Sequence, residues 1–196
     1  MVENSLADLP RCRWAASSNP LVTRYHDEEW GVALHEERAL FEVLTLEAFV
    51  AGLSWSTILA KRENFRGAFG GFEIAKVARF SERSVLRLLG DAGIVRHRGK
   101  IEATLANARA IVALRAEDSP FDRFVWSFAP PPRRRPPAAG GVPARTERSD
   151  ALSRELRNRG FRFVGSTTVY AFMQAAGLVD DHTVGCFRAA RPEAAS

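Results

Sequence analysis

The stretch SDALSRELRNRGFRFVGSTTVYAFMQAAG, residues 149–177, holds two helical patterns separated by a short turn. The first pattern starts with Ser149, a residue type that caps helix N-termini, and ends at Gly160. The second pattern, TTVYAFMQAA, ends at Gly177, and glycine commonly terminates helices. The letters FRFVGS between them form a short hairpin. This stretch therefore predicts a helix, a hairpin and a second helix.

Segments on the N-terminal side of this stretch are also helical by pattern. Residues 39–53, 54–62 and 99–117 follow a helical pattern, with apolar residues every three or four positions. Residues 81–89 open with a serine and have a glutamate in the first turn, which are signals of a helix N-terminus. Asn64 and Gly67 are expected to interrupt the second of these helices. Because strand alternation does not last anywhere and no internal repeat is found, the sequence predicts an all-α protein. The side of the last helix that is expected to face the core consists of Ile101, Leu105, Ala108, Ile111 and Val112.

Residues 130–148 (PPPRRRPPAAGGVPARTER) break the helical pattern. They hold six of the ten prolines and show neither the helical nor the strand period, which is typical of a loop. Two interpretations of the three adjacent arginines stay open: a solvated, partly disordered loop, or contact with a phosphate backbone. Residues 187–196 are expected to form a disordered tail. Residues 1–196 are expected to form one unit with two helical lobes around a cleft.

The charge balance favours a polyanionic partner. The chain has 28 basic and 23 acidic residues, a formal net charge of +5 and a pI near 9.9. Because only Lys61, Lys76 and Lys100 are lysines, a general arginine bias of the source proteome explains the excess equally well. The sequence has no run of eighteen apolar residues and no signal-peptide core. We therefore expect a cytoplasmic protein without a membrane partner. We also expect the protein to be a monomer.

The two cysteines of the chain lie near its opposite ends, and a histidine accompanies each. His182 and Cys186 are four residues apart, so they would share one face of a helical turn. Cys12 and His26 would complete a Cys2His2 set if the chain ends meet, and such a set suits tetrahedral zinc with no open position for water. The pattern therefore indicates a structural zinc that joins the two ends. Ordinary buried cysteines and histidines, or a terminal disulfide, are the alternatives.

Seven ordered segments give the chain a family likeness from about Arg11 to Cys186. They are RCRW, YHDEEWG, FEVLTLEAFVAGLSWSTILAKRENF, DAGIVRHRGKIEATLANARA, FVWSF, SDALSRELRNRGFRFVGSTTVYAFMQAAGLV and DHTVGC. In these segments the chain resembles DNA-3-methyladenine glycosylase type I, a family of the helix-hairpin-helix DNA glycosylase superfamily. The resemblance implies that fold, a zinc held by two cysteines and two histidines, and no organic cofactor. It also implies hydrolysis of the N-glycosidic bond of 3-methyladenine in alkylated double-stranded DNA.

The resemblance further points to a base pocket of Glu47, Trp55 and Tyr25. A glycosylase must extrude the nucleotide from the duplex, and methylation at N3 leaves the adenine positively charged. Aromatic faces and a carboxylate suit such a base. Glu47 is therefore expected to be the catalytic acceptor for the exocyclic amine, with Trp55 and Tyr25 stacking on the ring. Core aromatics and a surface glutamate are the alternatives, although Glu47 lies in an apolar run, where an unpaired buried carboxylate is costly.

The hairpin is expected to bind DNA. Gly165 would permit a tight turn, and the backbone N–H groups of Gly165, Ser166 and Thr167 would hold a phosphate without reading sequence. A plain turn between two helices is the alternative. Strand-cutting members of the superfamily use a lysine at the hairpin as nucleophile. Here Ser166, Thr167 and Thr168 follow Gly165, so the enzyme is expected to be monofunctional and to leave an abasic site.

Three positions depart from the family pattern. Val50 stands where a glutamine is usual, which leaves base specificity open, and Val22 where an aromatic residue is frequent. Asp180 stands where asparagine is commoner, two residues before His182. The wider superfamily has its catalytic aspartate there, so Asp180 is a candidate for electrostatic catalysis, with a helix N-cap as the alternative. A non-catalytic damaged-DNA-binding protein on the same fold is the alternative function, although retention of the whole base pocket argues against it.

Overall fold

The computed structural model describes residues 9–16, 19–131 and 141–189. Of the Pro/Arg-rich loop expected over residues 130–148, residues 132–140 lie outside this described part. Residues 190–196 of the expected tail also lie outside it. Residues 129–131 and 141–146 contain no helix, whereas Glu147 and Arg148, the last two residues of the expected loop, already belong to a helix.

All regular secondary structure in the described residues is helical, which confirms the all-α prediction. A short 3-10 turn, Gly70–Phe72, joins the third helix to the fourth. No helix in the described residues is long and apolar enough to cross a membrane. The helices are α1 (Pro20–Glu28), α2 (Glu37–Val50), α3 (Trp55–Ala68), α4 (Ile74–Ala78), α5 (Glu82–Gly90), α6 (Arg98–Ala116), α7 (Phe121–Trp126), α8 (Glu147–Asn158) and α9 (Ser166–Ala175).

The predicted end of α3 is wrong by six residues. The helix continues through Asn64 and Gly67 to Ala68. Burial explains the difference, because Phe65 is fully buried and its ring lies 4.8 Å from that of Phe49. Packing of this aromatic side chain outweighs the roughly 1 kcal/mol by which one glycine disfavours a helix.

The predicted core face of α6 is correct at four positions and wrong at one. Ile101, Leu105, Ala108 and Ile111 are buried, whereas Val112 is 41% exposed. The buried neighbour of Ile111 is Ala110, on its other side. Successive residues of a helix are rotated by about 100°, so Val112 falls beyond the edge of the buried face. The pattern places the helix correctly but puts one edge of its apolar face a residue too far.

α2 carries the residues that the site needs, and α6 fixes its C-terminal end. α2 packs against α3, α6 and α9. The buried ammonium of Lys100 in α6 donates hydrogen bonds to the carbonyls of Phe49 and Ala51, at 3.0 and 2.6 Å. Carbonyls in the last turn of a helix lack partners within the helix, and a cation there is favourable for the helix dipole. Lys100 therefore holds the turn that leads from α2 into α3.

The two helices predicted in residues 149–177 are present as α8 and α9, joined by a short connection. α8 begins two residues earlier than predicted, because Thr146 is its N-cap and Ser149 completes the capping box. The predicted role of Gly165 in turn formation is wrong. Its φ is −64°, which any residue can adopt, whereas the chain reverses at Gly160 (φ 84°) and Phe163 (φ 56°).

Candidate active site and metal centre

A cluster of two cysteines and two histidines joins the two ends of the described chain. Cys12, His26, His182 and Cys186 are all buried, and their ligand atoms lie within 4.8 Å of one another. Cys186 Sγ is 3.4 Å from His26 Nε2 and 3.6 Å from His182 Nδ1. Cys12 Sγ is 3.7 Å from His182 Nδ1. This cluster can hold a metal ion, and the structure brings together all four residues that the sequence proposes.

The segment that carries His182 and Cys186 is a loop, so the predicted helical turn is wrong. The N–H of Cys186 donates to the carbonyl of Thr183, and Gly185 has a φ of 89°. A left-handed residue between the two ligands brings them together as effectively as a helical turn would. Glycine suits this position because other residues rarely adopt such a φ.

Neighbouring groups orient both histidines of the cluster. His26 Nδ1 lies 2.8 Å from the Asp27 carboxylate, which accepts the hydrogen bond that Nδ1–H donates, so that Nε2 faces Cys186. His182 Nε2 lies 3.2 Å from the carbonyl of Trp30, which leaves Nδ1 facing the two sulfurs. Hydrogen bonds of this kind fix the tautomer of metal-binding histidines.

The electrostatic state of the cluster also suits a metal. Burial lowers the pKa of His26, and burial together with His26 lowers the pKa of His182 to about 4. Both imidazoles are therefore neutral near pH 7, which is the form that binds metals. Burial raises the pKa of the Cys12 thiol, and the N–H and the hydroxyl of Thr183, at 3.4 and 3.6 Å from Cys12 Sγ, offset part of this rise.

A cavity of about 250 Å³ lies beside the cluster. The three residues of the predicted base pocket, Tyr25, Glu47 and Trp55, all line it. The Tyr25 and Trp55 rings are in contact, with centroids 5.0 Å apart and planes inclined by 56°. The structure therefore places the carboxylate and the two aromatic rings in one concave site. The complete lining is Trp14, Tyr25, Trp30, Glu47, Val50, Trp55, Val142 and Gln174.

The carboxyl group of Glu47 has no hydrogen-bond partner among the described residues. It lies on α2 between buried apolar neighbours and is only partly exposed, toward the cavity. Burial raises its pKa to about 8, so the group is protonated near pH 7 when no ligand is present. Burial, with the charges of Glu47 and Glu29, also raises the pKa of Tyr25, whose phenol stays neutral. An unpaired buried carboxyl group in a cavity is poised to receive a cationic or hydrogen-bonding ligand.

Four of the lining residues are not predicted from the sequence as site residues. Trp14 and Trp30 add two aromatic rings, with centroids 5.0 Å apart, and Gln174 adds an amide. Val142 comes from the described end of the Pro/Arg-rich loop. Trp14 is 39% exposed and follows Cys12 by two residues, so its place near a metal ligand is the one sequence signal that could have identified it.

The metal cluster and the cavity share structural parts. His182 bonds to the backbone of Trp30, and the two rings meet edge to face at 4.7 Å. The ring of Trp14 meets that of His26 in the same way at 5.3 Å. Two residues of the cavity wall, Trp14 and Trp30, are therefore in direct contact with the candidate metal ligands His26 and His182.

An ion-pair network ties together the three helices that carry the pocket residues. Arg62 of α3 contacts Glu29, just after α1, at 2.5 Å and Glu42 of α2 at 2.6 Å. Glu42 also contacts Arg66, at 2.8 Å. Since Tyr25, Glu47 and Trp55 lie on α1, α2 and α3, Arg62 fixes their helices relative to one another.

The remaining predicted site residues lie outside the cavity lining. Gly165 is the N-cap of α9, and no described side chain caps the N–H groups of that end, which include those of Ser166 and Thr167. Asp180 is exposed and accepts the N–H of His182 at 3.1 Å. Because no helix begins after it among the described residues, its predicted role as a helix N-cap is wrong. Its catalytic role stays a prediction.

Three comparisons place the chain among known proteins. The family model for methyladenine glycosylase matches residues 14–189. DNA-3-methyladenine glycosylase 1 of Escherichia coli (strain K12) is 50% identical over 180 residues, which cover 91% of this chain and 96% of that protein. A crystal structure of 3-methyladenine DNA glycosylase I is 49% identical with a TM-score of 0.87, over 91% of this chain and 99% of that one.

A further solved structure contains a ligand. It is a tyrosine-to-phenylalanine variant of 3-methyladenine DNA glycosylase I in complex with 3-methyladenine. It is 35% identical to this chain with a TM-score of 0.84, and the match covers 90% of this chain and 95% of that one. Together with the helical fold and the cavity, these similarities show that the chain belongs to the methyladenine glycosylase family.

Proposed function

We propose that this chain is a monofunctional DNA glycosylase that hydrolyses the N-glycosidic bond of 3-methyladenine in alkylated double-stranded DNA. The reaction releases the free base and leaves an abasic site, which begins base excision repair. One observation carries the proposal: the unpartnered carboxyl group of Glu47 lies in a cavity walled by aromatic rings. The similarity to proteins named for this activity supports it.

The cavity matches the charge and shape of a methylated adenine. A purine cation between aromatic faces gains cation–π attraction, worth roughly 2 kcal/mol for a desolvated pair. Trp14, Trp30, Trp55 and Tyr25 supply those faces. An unmodified adenine carries no charge and gains less, so the aromatic walls select the damaged base.

Glu47 completes this selection by changing its protonation state. Without a ligand, burial keeps its carboxyl group protonated near pH 7. A cation in the cavity favours the ionised form, so binding lowers the pKa of Glu47 and releases its proton. The carboxylate then pairs with the cation out of water and accepts a hydrogen bond from the exocyclic amine.

The chemical step needs little acid catalysis. Methylation makes the base a good leaving group: the glycosidic electron pair returns to the ring, and the base departs as neutral 3-methyladenine. Water then adds to C1′ of the sugar and loses a proton, which gives the abasic site. Glu47 acts by holding the base in the orientation from which it departs. The lysine that strand-cutting relatives use has no counterpart at Ser166 to Thr168.

DNA would reach the cavity through two features. The uncapped N-terminus of α9 offers the N–H groups of Gly165, Ser166 and Thr167 to a phosphate, in the manner of a helix-hairpin-helix motif. Leu53 lies in the turn between Val50 and Trp55, two lining residues, and is 44% exposed. An apolar side chain there can occupy the gap that an extruded base leaves in the stack.

The Cys2His2 cluster would hold zinc. A sulfur and a nitrogen on a tetrahedral zinc lie about 3.6 Å apart, given bond lengths of about 2.3 and 2.05 Å. The sulfur–nitrogen distances of 3.4, 3.6 and 3.7 Å in the cluster fit that value. Four protein ligands leave no position for water or substrate, so the metal would be structural and would take no part in the reaction.

The test is base release from methylated duplex DNA by the wild type, Glu47→Gln and a surface control, Glu102→Gln. We expect the wild type and the control to release 3-methyladenine in preference to 7-methylguanine, and Glu47→Gln to be at least tenfold slower. A wild type that binds abasic DNA tightly but releases no base would instead establish the alternative function, a non-catalytic damaged-DNA-binding protein.

A further inference from the structure

Gln174 of α9 lines the cavity, and its side-chain amide is hydrogen-bonded to a buried residue outside the lining. Its Nε2 donates a hydrogen bond to Asp181 Oδ2 at 2.8 Å. Asp181 is only 1% exposed, and the hydroxyl of Tyr170, also 1% exposed, donates to the same oxygen at 2.6 Å. Neither Asp181 nor Tyr170 lines the cavity.

This arrangement fixes which way the amide of Gln174 faces. The NH2 group of Gln174 donates to the oxygen of Asp181 that also accepts the Tyr170 hydroxyl, and an amide turned the other way would place its acceptor oxygen against that oxygen. The oxygen Oε1 lies on the other branch of the planar amide, and no described residue donates to it. The cavity wall therefore presents a neutral acceptor in a defined orientation, in addition to the carboxyl group of Glu47.

Two acceptors in one pocket distinguish the two purine classes. Adenine-type bases carry an amino group at C6, which offers two N–H donors. Guanine-type bases carry a carbonyl oxygen at C6, which only accepts. The C6 carbonyl oxygen of a guanine-type base would face the Glu47 carboxylate and Gln174 Oε1, so acceptor would meet acceptor and no hydrogen bond would form. Unpaired polar groups in a buried site cost binding free energy.

We propose that Gln174 determines specificity for adenine adducts over guanine adducts, with Oε1 as the second acceptor for the 6-amino group. Asp181 is then a positioning residue, because it acts on the base only through the orientation of the Gln174 amide. The inference rests on the proposed function, since it concerns the base that the same cavity receives.

The experiment compares Gln174→Met with the wild type, because methionine has a similar length and no hydrogen-bonding amide. The rate constant of base release under single-turnover conditions is measured for 3-methyladenine and for 3-methylguanine in duplex DNA. We expect release of 3-methyladenine to fall about tenfold and that of 3-methylguanine to stay unchanged or rise, as one lost acceptor predicts. Asp181→Asn should also lower the ratio of 3-methyladenine release to 3-methylguanine release. The asparagine NH2 group can donate to Oε1 of Gln174, which would turn the Gln174 amide so that its NH2 group faces the cavity.

A purely structural role of Gln174 would lower both reactions equally, so an unchanged ratio overturns the proposal. Binding of the two free bases, followed by tryptophan fluorescence, gives a second readout that needs no turnover. If the wild type releases neither base, the proposed function fails, and the ratio of the two binding constants still decides the role of Gln174. If Gln174→Met proves unfolded, Gln174→Leu measured in the same binding assay replaces it.

Discussion

His182 Nε2 lies 3.2 Å from the backbone carbonyl of Trp30, so a candidate metal ligand and a wall of the base cavity are joined by one hydrogen bond. The ring planes of the two residues are nearly perpendicular, at 86°. Any change that moves His182 therefore also moves Trp30. This contact predicts that metal occupancy and base binding rise and fall together.

Removal of the metal should weaken base binding as well as stability. We expect protein purified without added metal to contain about one equivalent of zinc. Chelation under mildly denaturing conditions should remove several kcal/mol of stability, which for a chain of this size lowers Tm by about 10 °C or more. The fluorescence response to free 3-methyladenine should be lost in parallel. A chelated protein that binds the base with unchanged affinity would show that the cluster does not support the cavity.

Glu47 should make stability depend on pH. The folded protein keeps a proton on Glu47 up to a pKa of about 8, whereas the unfolded chain releases it above the ordinary value of 4.5. The free energy of unfolding should therefore fall as the pH rises from about 4.5 to about 8, by up to about 1.4 kcal/mol per pH unit. Glu47→Gln lacks this dependence. Urea titrations of both proteins across this range test the prediction, and parallel curves would contradict it.

Replacement of Arg62 should lower the stability of the protein and raise KM, because Arg62 links the helices that carry the pocket residues. Arg62→Met removes the partner that Glu29 and the buried Glu42 share. Because Glu42 keeps its contact with Arg66 and the Glu29 side chain is 39% exposed, we expect a loss of about 1–3 kcal/mol of stability. Because the helices of the pocket then lose their link, KM should rise as well. The matched control is Glu63→Gln, which breaks an exposed pair with Arg66 and should change stability by less than about 0.5 kcal/mol. Equal effects of the two variants on denaturant midpoint and KM would refute the linking role.

Ser166→Pro should separate DNA binding from base binding. Ser166 is the first residue of α9, where proline is well tolerated, and Gly165 before it already has the extended conformation that proline requires. The substitution removes one backbone N–H but leaves the helix intact. We expect affinity for duplex DNA to fall about tenfold and affinity for free 3-methyladenine to stay unchanged. Ser166→Ala keeps the N–H and should behave as the wild type; if both variants lose DNA affinity alike, the backbone donor is not responsible.

Asp180→Asn should leave the single-turnover rate unchanged. Asp180 does not line the cavity, and its carboxylate accepts the N–H of His182, a role that an asparagine oxygen can also perform. Rapid-quench measurement of base release decides the question. A rate at least tenfold slower would assign Asp180 to stabilisation of the sugar cation.

Local patterns in the sequence predict the helices and the chemically unusual residues, and three-dimensional packing decides the rest. Cys12 and His182 are recognisable because cysteine and histidine are rare in this chain. Glu47 is recognisable because a carboxylate is out of place in an apolar run. The position of Gln174 in the cavity depends on how α9 packs against α2, which no local pattern reveals.

Errors at helix ends and turns have the same origin. Gly67 carries a helix-breaking signal, but the burial of Phe65 two residues earlier overrides it. Gly165 is an obvious turn residue, yet the positive φ falls on Phe163, an aromatic residue that sequence rules would not choose. The helix and turn propensities of residues describe isolated segments, whereas tertiary packing determines where helices end and where the backbone turns in the folded chain.

The ligands of the metal cluster are drawn from segments 160 and 170 residues apart in the chain. A metal bound there closes almost the whole described polypeptide into a ring. Such a long cross-link restricts the unfolded ensemble more than a local one, because the entropy of loop closure grows with loop length. The cluster also cannot assemble during synthesis until residue 186 has left the ribosome. A chain interrupted before residue 182 lacks two of the four ligands and the contact of His182 with Trp30, so we expect it to hold a damaged base poorly.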